Sequence, residues 1–242
     1  MARGLPDAGN VVKGKDITSL DDMAELAVRL GSPMGYIRGG DVLFLDGFER
    51  GLSSWILDEN GAGAEIILST DKSFQGDLSC LLDSGLNPGP WASITKLLPP
   101  VTDQRIAMQT CFDVKDTTKW LDFFLGYYDG DWLHTWGIRY EHASGKLYYA
   151  FPAGNWTLLS TPGKLYDDDG NFHHVKLIVD LDTKSYVRCF LNRTEYPMAD
   201  LPCWQGLSVL SPMLYVQIKA TGDGLNATKC YLDNVIVTSN ET

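Results

Sequence analysis

Histidine is scarce in this chain of 242 residues, with four copies, and the five cysteines form no Cys-x-x-Cys pair. That spacing excludes the common zinc ribbons and thioredoxin-like redox centres. An odd cysteine count also suits a disulfide frame badly. Cys80, Cys111, Cys189 and Cys230 fall in strand-like runs and Cys203 in a loop, so all five read as reduced, mostly buried thiols. Positive charge is in deficit too: 20 Lys+Arg against 31 Asp+Glu leaves a formal charge of −11. A phosphate backbone needs a basic face to release its counterions, so nucleic acid is excluded as a partner. The same balance opposes docking on an anionic membrane surface. There is no run of about 18 apolar residues to span a membrane, and the opening MARGLPDAGNVVKGKD lacks the apolar core of a signal peptide. Synthesis in the cytoplasm without export is therefore expected. On that expectation the Asn-x-Thr triplets at Asn155, Asn192, Asn226 and Asn240 are chance occurrences.

Recognisable catalytic patterns are missing as well. The sequence has no Gly-x-Ser-x-Gly elbow, no His-Glu-x-x-His helix and no Gly-rich phosphate loop. Jelly-roll glucanases carry Glu-x-Asp-x-x-Glu along one strand, where alternation points the acids to one face. Here the aromatic segments hold only isolated acids, Asp122, Asp131 and Glu141. His173 and His174 are adjacent in a strand-like run, so their side chains point to opposite faces and cannot share a metal.

What the chain does have is core-forming material, 44% hydrophobic and 11% aromatic residues. It divides into an arm over residues 1–40 and a body over residues 41–242. Within the arm, Thr18 or Ser19 can cap a helix whose first turn carries Asp21 and Asp22. Leu20, Met23, Ala24, Ala27 and Leu30 recur at helical spacing, and Gly31 and Pro33 end the run. A helix of about 11 residues is unstable alone in water. The stripe of Leu20, Met23, Ala27 and Leu30 must dock, either on its own body or on a neighbouring subunit.

From Asp41 the pattern turns to period two. Strands are predicted over 42–48, 64–70, 78–83, 92–98, 106–114, 119–128, 132–140, 146–151, 156–159, 173–180, 186–191, 214–220 and 229–238. Asp-Gly, Asn-Gly, Gly-Asn and Pro-Gly clusters separate them. Many short strands with no helical pattern between them predict an all-β, antiparallel two-sheet sandwich.

Four segments carry a family likeness. Asp46-Gly-Phe48-Glu49-Arg-Gly51-Leu-Ser-Ser-Trp55, then Ser69-Thr-Asp-Lys-Ser-Phe-Gln-Gly76-Asp-Leu-Ser-Cys80-Leu, and finally Tyr231-Leu-Asp233-Asn-Val-Ile-Val resemble strands of the concanavalin A-like jelly-roll superfamily. That superfamily includes lectins, glucanases, laminin-G-type modules and carbohydrate-binding modules. Phe172–Asp180 followed by Tyr186–Asn192 resembles the paired strands of its laminin-G-type members. An arm, a short helix and a jelly roll together also resemble a group of uncharacterised bacterial and phage proteins. In related carbohydrate-binding modules a first-strand acid and a last-strand aspartate lie close. The resemblance therefore implies Asp46, Glu49 and Asp233, with carbonyls near Lys72 and Gly76, as ligands of a structural Ca²⁺. The alternative role for Glu49 and Asp233 is to satisfy backbone donors at strand ends.

Trp132-Leu-His134-Thr-Trp136-Gly-Ile138-Arg-Tyr140 is the most informative run. Alternation puts Trp132, His134, Trp136 and Tyr140 on one face, which could stack sugar rings. The plainer reading makes that face half of the core. Leu133, Thr135, Gly137 and Arg139 would then face outward as a flat, polar surface, a poor sugar platform. The function expected from these features is non-catalytic. It is a structural or assembly subunit, such as the surface protein of a virion or other released particle, that oligomerises through its arm. A glycan-binding module for external polysaccharide is the alternative, and a divergent glycoside hydrolase or lyase the weaker one.

Overall fold

A computed structural model describes residues 40–86, 90–102, 104–151, 155–167, 171–222 and 227–241. The stripe of Leu20, Met23, Ala27 and Leu30, and with it the oligomerisation expectation, lies outside the described residues. Among those described there are sixteen strands and no helix.

Two antiparallel sheets share the strands equally. The first contains β1 (Asp41–Asp46), β3 (Glu65–Ser69), β4 (Ser79–Asp83), β6 (Arg105–Asp113), β11 (His173–Asp180), β12 (Ser185–Leu191), β13 (Thr194–Pro197) and β16 (Lys229–Ser239). Its order is β13-β12-β11-β6-β16-β4-β3, and β1 pairs with the last part of β16. The second contains β2 (Ile56–Asn60), β5 (Trp91–Leu98), β7 (Thr118–Tyr128), β8 (Trp132–Glu141), β9 (Lys146–Phe151), β10 (Asn155–Ser160), β14 (Trp204–Leu207) and β15 (Met213–Gly222). Its order is β10-β9-β8-β7-β15-β5-β2. Along one edge of β8, β14 pairs with residues 132–135 and β9 with residues 138–141.

All thirteen predicted strands are present. The three additional ones, β2, β13 and β14, are short strands at sheet margins. There one face is wet and alternation in composition is weak, so they leave little trace in sequence.

Period two sorts the residues of the long strands. Leu121, Phe123 and Leu125 of β7, Trp136, Ile138 and Tyr140 of β8, and Leu214, Val216, Ile218 and Ala220 of β15 are buried. They form one cluster with Met108, Phe112, Val175, Leu177, Val179, Leu232, Val235 and Val237 of the first sheet. The rings of Phe112 and Phe123 meet across the layers with centroids 5.1 Å apart. Tyr186 ties the sheets together. Its hydroxyl accepts the Gly137 amide at 2.8 Å and lies 2.9 Å from the Ala150 carbonyl, at the point where β8 passes from β14 to β9. The five cysteines are free and buried, as the sequence implied. Burial pushes the thiols of Cys80, Cys111 and Cys189 well up, so they behave as small apolar side chains.

Candidate functional site

The aromatic face expected to stack sugars is mostly core. Trp136 and Tyr140 have no exposed surface and His134 is 4% exposed, whereas Trp132 is 42% exposed. The first three point between the sheets, because alternation along a strand with one closed face leaves them no other side. They cannot reach a ligand. His134 completes a line that resembles a nucleophilic triad: its Nδ1 lies 3.9 Å from Cys203 Sγ and its Nε2 2.8 Å from Asp129 Oδ2. The Cys203 thiol is 1% exposed, and desolvation pushes its pKa up. A buried, protonated thiol is no nucleophile.

The acids expected to hold calcium accept hydrogen bonds from nearby backbone and indole donors. Asp46 accepts hydrogen bonds from the Phe48 amide at 2.8 Å and from Trp55 Nε1 at 2.9 Å. Asp233 Oδ2 accepts from the amides of Phe74 and Gln75, and Glu49 Oε1 from those of Asp77 and Leu78, all at 2.8–2.9 Å. Calcium needs six to eight oxygens converging on one point. Here N–H groups face the carboxylates, and the three acids form no convergent ligand group. These contacts are those of the capping role.

The opposite face of β8, expected to be flat, carries a cleft. The cross-strand register explains it. Arg139 of β8 faces Asp122 of β7, which faces Lys219 of β15. In the next row lie Phe124 and Gln217, with Trp156 of β10 beyond Ala150 of β9. Thr135 and Tyr215 follow, with Trp204 of β14 beside Thr135. These side chains enclose about 320 Å³.

Glycine decides the shape of that floor. A Cβ on Gly126 would stand 1.9 Å from the Tyr215 ring, and one on Gly137 2.8 Å from the Phe124 ring. Both rings therefore lie down across the neighbouring strand instead of standing upright, as they would over any larger residue.

Charge is fixed in place on the same surface. Arg139 forks onto Asp122 with N–O distances of 2.6 and 2.7 Å. Its guanidinium lies 4.4 Å from the Trp120 ring centre and 4.1 Å from that of Trp156, close enough for cation–π attraction to both. Burial pushes the Asp122 carboxyl above its ordinary value against the pull of Arg139. Desolvation likewise pushes the Lys219 ammonium down, opposed by Asp122. Glu141, further along β8, receives Trp120 Nε1 and Tyr148 Oη at 3.2 Å and the Ser144 hydroxyl. The Ser144 contact does most to hold its carboxyl below the usual range. Thr135 Oγ1 and Tyr215 Oη lie 3.1 Å apart, and Gln217 donates to Thr95. The surface thus pairs low-lying rings with polar groups already held in position.

Sequence comparison adds no family: no protein-family model matches this chain, and no curated protein matches it. Solved structures do. Cellulose induced protein Cip1 superposes with a TM-score of 0.57 at 15% identity, over 82% of this chain and 98% of that one. An endo-β-1,4-glucuronan lyase from the fungus Trichoderma reesei gives 0.56 at 9% identity, over 82% and 96%. A protein of unknown function with a galectin-like fold from Bacillus subtilis gives 0.52 at 15% identity, over 84% and 97%. The fold is the concanavalin A-like jelly roll. Within this jelly roll the quoted sequence likenesses fall on β1 and the turn after it, on β3–β4, on β11–β12 and on β16.

Sequence reading points to Thr135 and Arg139 but not to Trp204, Tyr215, Gln217 or Lys219. For β15 the signal was present. Leu214, Val216, Ile218 and Ala220 alternate with Tyr215, Gln217 and Lys219, which marks the latter as the outward set of a central strand. Nothing in the sequence set them beside Arg139.

Proposed function

We propose that this jelly roll binds a polysaccharide along the outer face of its second sheet and performs no chemistry on it. One observation carries the reading. Phe124 and Tyr215 lie down over glycines, and Trp156 and Trp204 flank them, in a cleft that also presents Thr135, Gln217, Arg139 and Lys219. Sugars are recognised by stacking their C–H faces on rings while fixed polar groups bond the hydroxyls. A binding role is supported by the commitment of the acids. Asp122 has both oxygens on Arg139, and Glu141 is held ionised by three donors, so neither is a free general acid. Two of the structural neighbours bear names linked to polysaccharide, cellulose in one and glucuronan in the other. The assembly reading rests on residues 1–40 and gives this cleft no task.

A polysaccharide panel tests the proposal, read by affinity electrophoresis and by calorimetry on any hit. Trp156→Ala and Tyr215→Ala should each weaken binding about tenfold, roughly 1.4 kcal/mol. Trp132→Ala, on the rim away from the cleft, should leave it unchanged. Affinity that survives both cleft substitutions, or release of reducing or unsaturated ends on prolonged incubation, would sink it.

A further inference from the structure

Outside the cleft, several buried polar atoms lack a hydrogen-bond partner, and among the described residues His142 is the side chain that contributes two of them. His142 follows the last residue of β8 and is 1% exposed, yet neither ring nitrogen has a hydrogen-bond partner. A polar group so placed costs stability unless something satisfies it. Two carboxylates approach it. Asp116 Oδ1 lies 3.7 Å from His142 Nε2 and Asp167 Oδ2 lies 3.8 Å from the same atom. These separations are too long for hydrogen bonds. They suit two ligands of one ion better. Donors each about 2.0–2.1 Å from a tetrahedral zinc stand roughly 3.3–3.4 Å apart, so each carboxylate is within a few tenths of an ångström of the spacing it would need from His142.

We propose that Asp116, His142 and Asp167 hold a divalent transition-metal ion of the zinc class. The three ligand atoms lie within 4.8 Å of one another, and this is the convergent group of His, Cys, Asp and Glu side chains among the described residues. One imidazole with two carboxylates favours zinc, cobalt or manganese over calcium, which prefers an all-oxygen shell.

Each ligand comes from a different segment. Asp116 lies in the turn between β6 and β7, His142 at the end of β8, and Asp167 in the segment that leads from β10 to β11. The backbone is already fixed around them. The His142 amide donates to the Lys119 carbonyl at 3.3 Å, and its carbonyl accepts the Gly145 amide at 3.2 Å. Tyr140 Oη donates to Gly163 O at 3.2 Å and accepts the Leu165 amide at 2.7 Å, which anchors the chain two residues before Asp167. The ion would clamp that segment to the β6–β7 turn, and its role is to hold structure.

The test uses the full chain, stripped of metal with a chelator and dialysed. Cobalt(II) should produce visible ligand-field bands that saturate at equimolar metal. Zinc should bleach them, and excess calcium should not. Zinc should also raise Tm by mass action. Asp116→Asn is the informative variant, since the Asp116 side chain is 80% exposed and its loss leaves the core intact. It should weaken cobalt binding on the order of tenfold or more, and Asp167→Asn should do the same. A wild-type chain without cobalt bands, or equal cobalt affinity in wild type and both variants, would overturn the assignment.

Discussion

At the scale of single residues, Arg139 joins stability to the proposed recognition. Its guanidinium is held by Asp122 and lies between Trp120 and Trp156. Lysine cannot reproduce a two-pronged, stacked contact, because its ammonium is a compact point charge on a flexible stem. Truncating Arg139 would strand Asp122, whose side chain is 2% exposed, as an unpaired buried acid. Arg139→Ala should cost about 3 kcal/mol of stability, read by urea denaturation. The double variant Asp122→Asn with Arg139→Ala should recover part of that loss, because the stranded charge is then gone. If the double variant lost as much again, the two residues would not be acting as a pair. A second buried pair, Lys176 Nζ to Glu241 Oε1 at 2.7 Å, is subject to the same logic, with both side chains 1% exposed.

Among elements, the β7–β8 hairpin has an acid-sensitive turn. Partial desolvation opposes the shift, but the His134 ring and the amides of Trp132 and Asp131 together hold the Asp129 carboxyl down at about 2. A carboxyl with a lowered folded-state pKa contributes stability above its unfolded value of about 3.9. That contribution fades as pH falls through the folded value. Wild type should therefore lose more Tm than Asp129→Asn between about pH 4 and pH 2, while at pH 6 the wild type is the more stable. Parallel melting curves for the two would refute the assignment. The pairing of β7 with β15 makes a second prediction. Gly126→Ala would drive a methyl into the Tyr215 ring. The ring must then rise off the sheet, at a cost of about 1–3 kcal/mol and with loss of polysaccharide affinity. Retained affinity would show that the low-lying ring is not part of the binding surface.

For the molecule as a whole, the cleft is lined by residues of six strands, none of them earlier in the chain than Asp122. A chain lacking residues 1–39 should bind polysaccharide with unchanged affinity. Light scattering on the same two proteins asks the separate question of the arm: a fall in mass on truncation would assign oligomerisation to it. Loss of affinity without loss of fold would show that the cleft is incomplete without those residues.

Sequence by itself determined the fold class and nearly every strand of this protein. Alternation is a local property, and the turn residues between the runs permit few other conformations, so thirteen strands could be read one at a time. The same local rule showed that β8 has two unlike faces, but it could not say what lay beside either of them. Tertiary structure decided that. Pairing in the second sheet brought Asp122 and Lys219 level with Arg139, Phe124 level with Gly137 and Tyr215 level with Thr135, although β15 begins more than seventy residues after β8 ends. A surface that was flat and polar in one strand became a cleft floored with rings once its neighbours were placed. Asp116, His142 and Asp167 show the same limit, since no spacing pattern in a chain encodes the meeting of three loops. Register between distant strands is set by the closing of the core, and a one-dimensional pattern carries no record of it.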